Sequence, residues 1–233
     1  MKVGLFITNQ QTLDTDMVSA LDDQFAMVRL ARDCGWDSLF SGQHYLNEGN
    51  NKQLQTVPLL ARLAAEAGEM TIGLGILLLN LHNPVYTAET VATLDIIARG
   101  NFIFGVGLGY RDIEFDAFGV PKGERVKRLE EYLTLVERLW TEDRVSYEGP
   151  GCRLANVHMN IRPVQKPAAA DLDGGKQRPG RKARCPNGGC LVHKPARHQR
   201  HHPPANGGLP RGAGCRRKGR AAGVAGHQGG LLR

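Results

Sequence analysis

The last part of this sequence lacks the side chains that fill a protein core. Residues 168–233 contain no Phe, Tyr, Trp, Ile or Met and only two acidic residues, yet they hold 14 of the 30 Lys and Arg residues and 14 of the 29 glycines. So few large apolar side chains cannot offset the entropy that is lost when a backbone becomes ordered. We therefore predict a folded domain over residues 1–167 and a disordered, basic, Gly- and Arg-rich tail over residues 168–233.

The sequence also lacks a long apolar run and a regular set of cysteines. No stretch is apolar enough to span a bilayer, and the first nine residues have the pattern of a strand and not of a signal peptide. Cys34 and Cys152 are isolated within residues 1–167, where 21 acidic and 16 basic side chains make a mildly acidic domain. These features favour a cytoplasmic protein with no membrane partner.

Two patterns in the tail are typical of binding sites. Cys185, Cys190, His193 and Cys215 are residue types that bind zinc, and the arginine-rich stretches are of a kind that binds nucleic acid. However, the cysteine spacing is irregular, and no aromatic side chains interleave with the basic ones. We therefore predict no metal site, and nucleic-acid binding by the tail is kept only as a less favoured alternative.

Four strand–helix units follow one another in the first 140 residues. The predicted strands cover residues 1–8, 38–40, 70–79 and 102–106, and the predicted helices cover 17–33, 57–67, 84–98 and 124–140. This alternation predicts an α/β fold with a parallel sheet, and the periodicity fits both an open doubly wound sheet and a closed barrel. An extended excursion over residues 144–163 follows, and the fifth strand expected after Pro167 does not arrive.

Polar or glycine residues interrupt the apolar pattern after each predicted strand, where α/β barrels carry their chemistry. These positions are Asn9, residues 43–44, residues 79–80 and residues 107–110. Around and between them, motifs follow one another within residues 42–45, 73–84, 88–100, 105–110, 116–119 and 125–140. In this order and with these separations, they resemble the bacterial luciferase-like family of flavin-dependent monooxygenases. The resemblance implies a (β/α)₈ TIM-barrel fold, of which about four βα units are present.

The resemblance also implies the site residues. His44 would lie at the flavin face, where an imidazole can hold or relay a proton, although a loop histidine that only hydrogen-bonds a neighbour is the alternative. Gly75-Ile76 matches a bulged third strand that often contains a non-proline cis peptide, and a plain buried strand with a glycine is the alternative. The cofactor-binding residues implied in this way are Gln43, Gly75, Ile76, Asn80, Gly107 and Arg125.

Some of these residues have a second interpretation. The spacing of Gly105, Gly107 and Gly109 is not that of the dinucleotide fingerprint, so the glycines either let the backbone approach the flavin or permit tight packing. Arg125 and Arg128 either face the cofactor or are solvated charges on an amphipathic helix. Two residues depart from the family pattern. Asn101 stands where the family often has an arginine, and Leu108 is apolar at a position that lies at the flavin edge.

The implied function is oxidation of a small organic substrate by O₂ and reduced FMN, which a flavin reductase would supply. A deazaflavin cofactor with hydride transfer is an alternative, and a homodimer is a candidate assembly. A second alternative is an inactive, truncated fragment of such an enzyme. Four strands cannot close a barrel, so we expect an unpaired edge on the fourth strand and exposed apolar faces.

A frameshift would explain why the tail departs from the fold. Codons for residues 168–180 can be chosen so that a one-nucleotide shift reads PPPIWMAANNDPA, and the same shift turns residues 184–209 into RMAGAWFTNPHATNAI followed by IRRQMAAY. These strings contain, in order, the strand, helix and strand that the family would supply. We therefore hypothesise a frameshift near codon 168, in the gene or in its sequence record.

Overall fold

Strands and helices alternate along most of the chain. The computed structural model describes residues 2–47, 49 and 51–165, together with the backbone of residues 183–184 and 189–191. The strands, in chain order, are β1 (Gly4–Ile7), β2 (Gln10–Thr12), β3 (Ser38–Ser41), β4 (Asn51–Gln53), β5 (Thr71–Leu74), β6 (Phe102–Ile103), β7 (Gly105–Gly107), β8 (Val145–Gly149), β9 (Cys152–Val157), β10 (Ala183–Arg184) and β11 (Gly189–Leu191). The α-helices are α1 (Met17–Asp33), α2 (Thr56–Ala67), α3 (Pro84–Ile97), α4 (Asp112–Ala117) and α5 (Arg125–Thr141).

A parallel sheet with the order β1-β3-β5-β6 organises the fold. One face of this sheet packs on the helices, because Leu39, Ile72 and Leu74 share a buried cluster with Leu60 of α2 and Leu135 of α5. Each crossover between neighbouring strands contains a helix, as the alternating pattern predicts. The parallel α/β architecture expected from the sequence is confirmed.

The opposite face of the sheet is partly open. The ring of Phe40 lies over Gly73, where an added Cβ would collide with it, and the ring of Phe6 lies against Gly75. Phe6 nevertheless remains 54% exposed. An aromatic side chain on a strand of a complete barrel would be covered by the remaining strands, so the expected exposure of an apolar face is confirmed at Phe6.

The fourth predicted strand is interrupted at Phe104, which separates β6 from β7. Val106 of β7 bridges Leu77 in a parallel sense on one side. On the other side, β7 pairs antiparallel with β11, and Gly107 lies opposite Gly189. The expectation of an unpaired edge on this strand was therefore wrong, because a short segment of the tail supplies hydrogen-bonding groups to it.

The excursion that follows α5 is an antiparallel hairpin of β8 and β9, turning at Pro150 and Gly151. Its continuation returns to the sheet, where the backbone N–H of Gln165 donates to Oδ2 of buried Asp95 at 3.0 Å. The side-chain amide of Gln165 donates to the carbonyl of Phe102 at 2.9 Å. Asp95 therefore has a structural role, since it joins the end of this excursion to α3.

Most of the predicted tail, including the side chains of Cys185, Cys190, His193 and Cys215, lies outside the described residues. The predictions of disorder and of no zinc site concern that region. Among the helices that the structure describes, none combines the length and the apolar character that crossing a bilayer requires.

Candidate active site

The loops that follow the parallel strands meet at one edge of the sheet, because parallel strands all end on the same side. The loop after β3 carries Gln43, His44 and Tyr45, and the segment after β5 contains Gly75 to Leu81. The loop after β7 leads into α4, which carries Glu114. Hydrogen bonds join these three segments into one candidate site.

His44 is paired with a buried carboxylate. Its Nδ1 lies 3.2 Å from Oε1 of Glu114, and the side chain of His44 is 26% exposed whereas that of Glu114 is 1% exposed. A carboxylate oxygen accepts hydrogen bonds, so Nδ1 carries the proton and Nε2 is left to face other groups. Nε2 has no hydrogen bond within the described residues, and the ring of Tyr110 packs edge-on at 5.9 Å.

Glu114 is held in place from two further directions. The backbone N–H of Tyr45 donates to Oε1 of Glu114 at 2.9 Å, and Nη1 of Arg111 lies 3.5 Å from the same oxygen. Oε2 of Glu114 is buried and has no hydrogen-bond partner among the described residues.

Arg111 also fixes the loop that carries His44. Its guanidinium donates to the carbonyls of Tyr45 and Leu46 and to Oδ1 of Asn47, each at 2.9 Å. The planar guanidinium presents several donors in a fixed arrangement, so one side chain can tie three consecutive residues to α4. The position of His44 is therefore set jointly by Glu114 and Arg111.

Gln43 was expected to bind the cofactor, but its polar groups bind the protein. Its backbone N–H donates to the carbonyl of Ile76 at 3.2 Å, and its Oε1 accepts from the backbone N–H of Leu78 at 3.0 Å. Its Nε2 donates to the hydroxyl of Tyr45 at 2.8 Å. The side chain is buried, so Gln43 ties the loop after β3 to the segment after β5.

Tyr45 and His82 complete this set of contacts. Nε2 of His82 lies 3.1 Å from the Tyr45 hydroxyl and 3.3 Å from Oε1 of Gln43. Burial lowers the pKa of His82 to about 4, so its ring is neutral near pH 7. Burial is also the main reason that the pKa of Tyr45 rises to about 12, with smaller contributions from Tyr86 and Glu114.

The segment after β5 contains the predicted irregularity. The peptide between Gly75 and Ile76 is cis, although neither residue is proline. A Cβ on Gly75 would come within 3.0 Å of the Phe6 ring, so the backbone and the ring lie in close contact. The prediction of a non-proline cis peptide at this place is confirmed.

Gly105 and Gly107 are explained by packing within the protein. A Cβ on Gly107 would collide with the side chain of Ile76, and a Cβ on Gly105 would collide with the carbonyl of Leu74. Close packing of β7 on the segment after β5 therefore requires glycine at both positions. A contact between Gly107 and a cofactor stays a prediction.

Asn80 contacts Arg128 of α5. Asn80 is completely buried, and its Nδ2 donates to the carbonyl of Leu108 at 2.9 Å, while its Oδ1 has no partner among the described residues. Nε of Arg128 donates to the carbonyl of Asn80 at 3.3 Å, and the guanidinium packs 5.0 Å from the Tyr132 ring centre. Arg128 is therefore not a solvated charge.

Arg125, the other predicted cofactor contact on α5, begins that helix. Its Nε is buried and has no hydrogen-bond partner within the part of the chain that the structure describes. Neither Arg125 nor Asn80 contacts His44 in the hydrogen bonds observed. The structure thus brings Gln43, His44, Gly75, Ile76 and Gly107 together and leaves the cofactor contacts of Asn80 and Arg125 as predictions.

Glu114, Arg111, Tyr45 and His82 were not predicted as site residues. Glu114 lies 70 residues after His44 and belongs to the short helix α4, which the sequence pattern did not reveal. An acidic residue between the apolar Ile113 and Phe115 was the one available signal. A carboxylate at such a place needs buried partners, but the sequence does not identify them.

Comparison with known proteins identifies related sequences. The profile of the family described as luciferase-like monooxygenase matches residues 1–179, which extends past the boundary predicted at residue 167. An F420-dependent glucose-6-phosphate dehydrogenase from Microbacterium testaceum is 29% identical over 160 residues, which are 62% of this chain and 47% of that protein. The chain thus spans about half the length of the curated relatives it matches.

Solved structures show the same architecture. The monooxygenase RslO1 from Streptomyces bottropensis is 27% identical with a TM-score of 0.66, over 71% of this chain and 51% of that one. The oxygenating constituent of 3,6-diketocamphane monooxygenase from Pseudomonas putida, solved with FMN, is 19% identical with a TM-score of 0.58, over 66% of this chain and 42% of that one. The second likeness concerns the fold alone.

Proposed function

Because this chain belongs to the luciferase-like monooxygenase family, we propose that its sheet edge binds the ring of a reduced flavin or deazaflavin and that His44 transfers a proton there. The observation that carries this proposal is the pairing of His44 with buried Glu114. A histidine that is oriented by a carboxylate and has a second nitrogen available is a common arrangement for proton transfer.

The surface beside His44 suits a flat ring with polar edges. Phe6, Gly75 and Ile76 present apolar atoms, and Phe6 in particular is largely exposed. Nε2 of His44, which has no hydrogen-bond partner among the described residues, supplies a polar group at the edge of this surface. An apolar floor with a few polar groups at its edge is typical of cofactor sites.

The residues of this chain perform the proton steps. With Nδ1–H donating to Glu114, Nε2 of His44 accepts a proton from a bound molecule and returns it later. The carboxylate of Glu114 stabilises the positive charge that the imidazole acquires, and Arg111 holds the carboxylate in position. The bound cofactor would supply the redox chemistry, which is oxygenation with O₂ for reduced FMN or hydride transfer for a deazaflavin.

Both cofactors occur among similar proteins. The relative from Microbacterium testaceum is F420-dependent by name, and the Pseudomonas putida constituent was solved with FMN. We favour reduced FMN with O₂ and an organic substrate, in keeping with the family description. A flavin reductase would then be the partner that supplies reduced FMN, and a homodimer is the proposed assembly.

Anaerobic titration of the full chain with reduced FMN and with reduced F420 tests the proposal. We expect saturable changes in absorbance and fluorescence with one cofactor, and we expect His44→Asn to retain binding while losing about 100-fold in turnover. Glu89→Gln, which changes an exposed residue of α3, is the matched control. Absence of saturable binding to either cofactor would contradict the proposal.

The chain covers only about half of its relatives, which favours an inactive fragment as the second candidate. A thermal melt followed by circular dichroism separates the two candidates. A cooperative transition that shifts upward with the cofactor supports the enzyme, since a ligand that binds only the folded state stabilises it. A chain that melts without cooperativity and binds no flavin is the fragment.

A further inference from the structure

Three side chains, one buried and two partly buried, connect two loops of the candidate site. These are Gln43 and Tyr45, which follow β3, and His82, which follows the 3₁₀ turn Leu79–Leu81. Their polar atoms lie within 3.3 Å of one another in all three pairs. The ring of Phe118 covers the group, at 4.7 Å from Tyr45 and 5.8 Å from His82.

The direction of each hydrogen bond in this group is determined by its neighbours. Oε1 of Gln43 accepts the backbone N–H of Leu78, so the amide orientation is fixed and Nε2 must point to the Tyr45 hydroxyl. Oε1 cannot donate, so the contact with His82 requires a proton on Nε2 of His82. His82 is therefore a donor in its neutral form, and its single Nε2 proton is shared between Oε1 of Gln43 and the Tyr45 hydroxyl, which also accepts from Nε2 of Gln43.

These residues form hydrogen bonds to the backbone from Ile76 to Leu78, which is the segment that would lie against the cofactor. The backbone of Gln43 binds the carbonyl of Ile76, and its side chain binds the N–H of Leu78. These contacts bracket Leu77, whose own N–H donates to Gly105 at 2.8 Å. If the side chain of Gln43 rotated, Leu78 would lose its hydrogen bond to the loop that carries His44, and only the backbone bond to Ile76 would remain.

We infer that Gln43, Tyr45 and His82 act as a clasp that positions the backbone from Ile76 to Leu78 for cofactor binding, with His82 as the donor that holds Gln43 in its orientation. This inference rests on the proposed function for the part that concerns the cofactor. The three residues are positioning residues, because their polar atoms are used within the protein. A direct contact between Gln43 and a cofactor stays a prediction.

Substitution of His82 tests the clasp. His82→Leu removes the donor, whereas His82→Gln keeps an N–H near the position of Nε2. We expect the leucine variant to weaken cofactor binding about tenfold, as the loss of one positioned hydrogen bond does, and the glutamine variant to restore most of the affinity. Tyr45→Phe should weaken binding to a similar extent, and Tyr86→Phe, which changes an exposed tyrosine of α3, should have no effect.

Hydrogen exchange of the Leu78 amide provides a readout that does not depend on the cofactor. This amide should exchange at least tenfold faster in His82→Leu than in His82→Gln, because the clasp no longer holds Oε1 of Gln43 against it. Equal protection in the two variants would overturn the clasp, even if no variant binds a cofactor. Unchanged cofactor affinity together with faster Leu78 exchange would overturn the positioning role alone.

If the wild-type chain binds neither cofactor, the proposed function fails and the clasp is decided by the exchange data. If the wild-type chain binds a cofactor and His82→Gln behaves like His82→Leu in both measurements, then ring shape and not the donor matters, and the inference is wrong. Tyr45→Phe provides the independent check if both His82 variants fold poorly.

Discussion

At the scale of single residues, the site depends on one buried carboxylate. Glu114 accepts from the backbone of Tyr45 and from His44 and lies near Arg111, so its removal leaves three groups without their partner. We expect Glu114→Ala to lower the free energy of unfolding by about 3 kcal/mol, because unpaired buried polar groups are costly. Glu114→Gln keeps an acceptor oxygen and should cost less than half as much.

Urea denaturation of both variants measures these differences. Glu89→Ala is the matched control, because Glu89 is exposed and its substitution should change stability by no more than about 0.5 kcal/mol. A loss at Glu114→Ala as small as that of the control would show that the pairing with His44 contributes nothing to the fold.

His82 makes stability depend on pH. The pKa of its ring is about 4 in the folded protein, against 6.5 for an unperturbed histidine, so the unfolded chain takes up a proton first as the pH falls. Stability from this residue is fully present above pH 6.5 and is lost progressively between pH 6.5 and pH 4, by about 3 kcal/mol in total. Denaturation curves at several pH values should show this decline.

The variant His82→Gln isolates that contribution, since glutamine does not titrate. Its stability should vary less with pH between 6.5 and 4.5 than that of the wild-type chain. The groups around His82 in the described structure are Tyr45, Gln43 and Phe118, and of these only Tyr45 titrates, at a pKa of about 12. Equal slopes for both proteins in this window would refute the assignment to His82.

The sequence singled out His44 because it is embedded in a motif, whereas it did not single out the distant residues that contact this loop. Glu114 and His82 are separated from the loop after β3 by tens of residues, and their importance comes from burial and pairing. A sequence pattern reports which residues follow a strand, but not which distant side chain will meet them. The pairing of His44 therefore required the three-dimensional structure.

At the scale of elements, the long amphipathic helices followed their sequence pattern closely. Helix α1 covers Met17–Asp33 as predicted, and the side chain of Asp16 caps it by accepting from Val18 and Ser19. The strand predicted over residues 70–79 instead ends at Leu74, because the cis peptide and a 3₁₀ turn follow within the same apolar run. Apolar composition alone cannot distinguish a buried strand from a buried irregular segment.

Shorter elements were missed for a related reason. Helix α4 has six residues, and β2 and β4 form a three-residue antiparallel pair. Such lengths give too few positions for a periodic pattern to emerge. These elements are nevertheless functionally relevant, since α4 supplies the carboxylate that orients His44.

Close packing between β7 and the segment after β5 leads to a prediction about Gly107. We expect Gly107→Ala to lower the free energy of unfolding by about 2 kcal/mol, because the new methyl group collides with Ile76. Ile76→Ala removes the side chain that the new methyl group would meet. Gly107→Ala should therefore lower the free energy of unfolding less when it is combined with Ile76→Ala than when it is made alone. Chemical denaturation of the four proteins in this cycle gives the coupling.

Gly123→Ala provides the control for that cycle, since an added Cβ there would meet no atom within 4 Å. It should be neutral or slightly stabilising, because alanine restricts the unfolded chain more than glycine does. If the two substitutions change the free energy of unfolding additively, then Gly107 and Ile76 are not coupled by close packing.

At the scale of the whole molecule, the strand that pairs with β7 runs in the direction opposite to that of a barrel strand. In a (β/α)₈ barrel the fifth strand lies parallel to the fourth, whereas β11 runs antiparallel to β7. The ring of Phe6 is also exposed, because the sheet face that a complete barrel would cover stays open. Both features occur in a chain that spans about half the length of its relatives.

The frameshift hypothesis connects these observations and gives the last prediction. If the reading frame changes near codon 168, a gene product with the shifted frame would supply a parallel fifth strand in place of β11. We expect that longer product to melt about 10 °C higher than the present chain and to bind the cofactor more tightly, because a larger domain buries a larger share of its surface. Sequencing of the locus and its transcript decides whether the shift exists. A transcript that confirms the present frame, together with a shifted product that neither melts higher nor binds more tightly, would show that the antiparallel strand is the native continuation of the sheet.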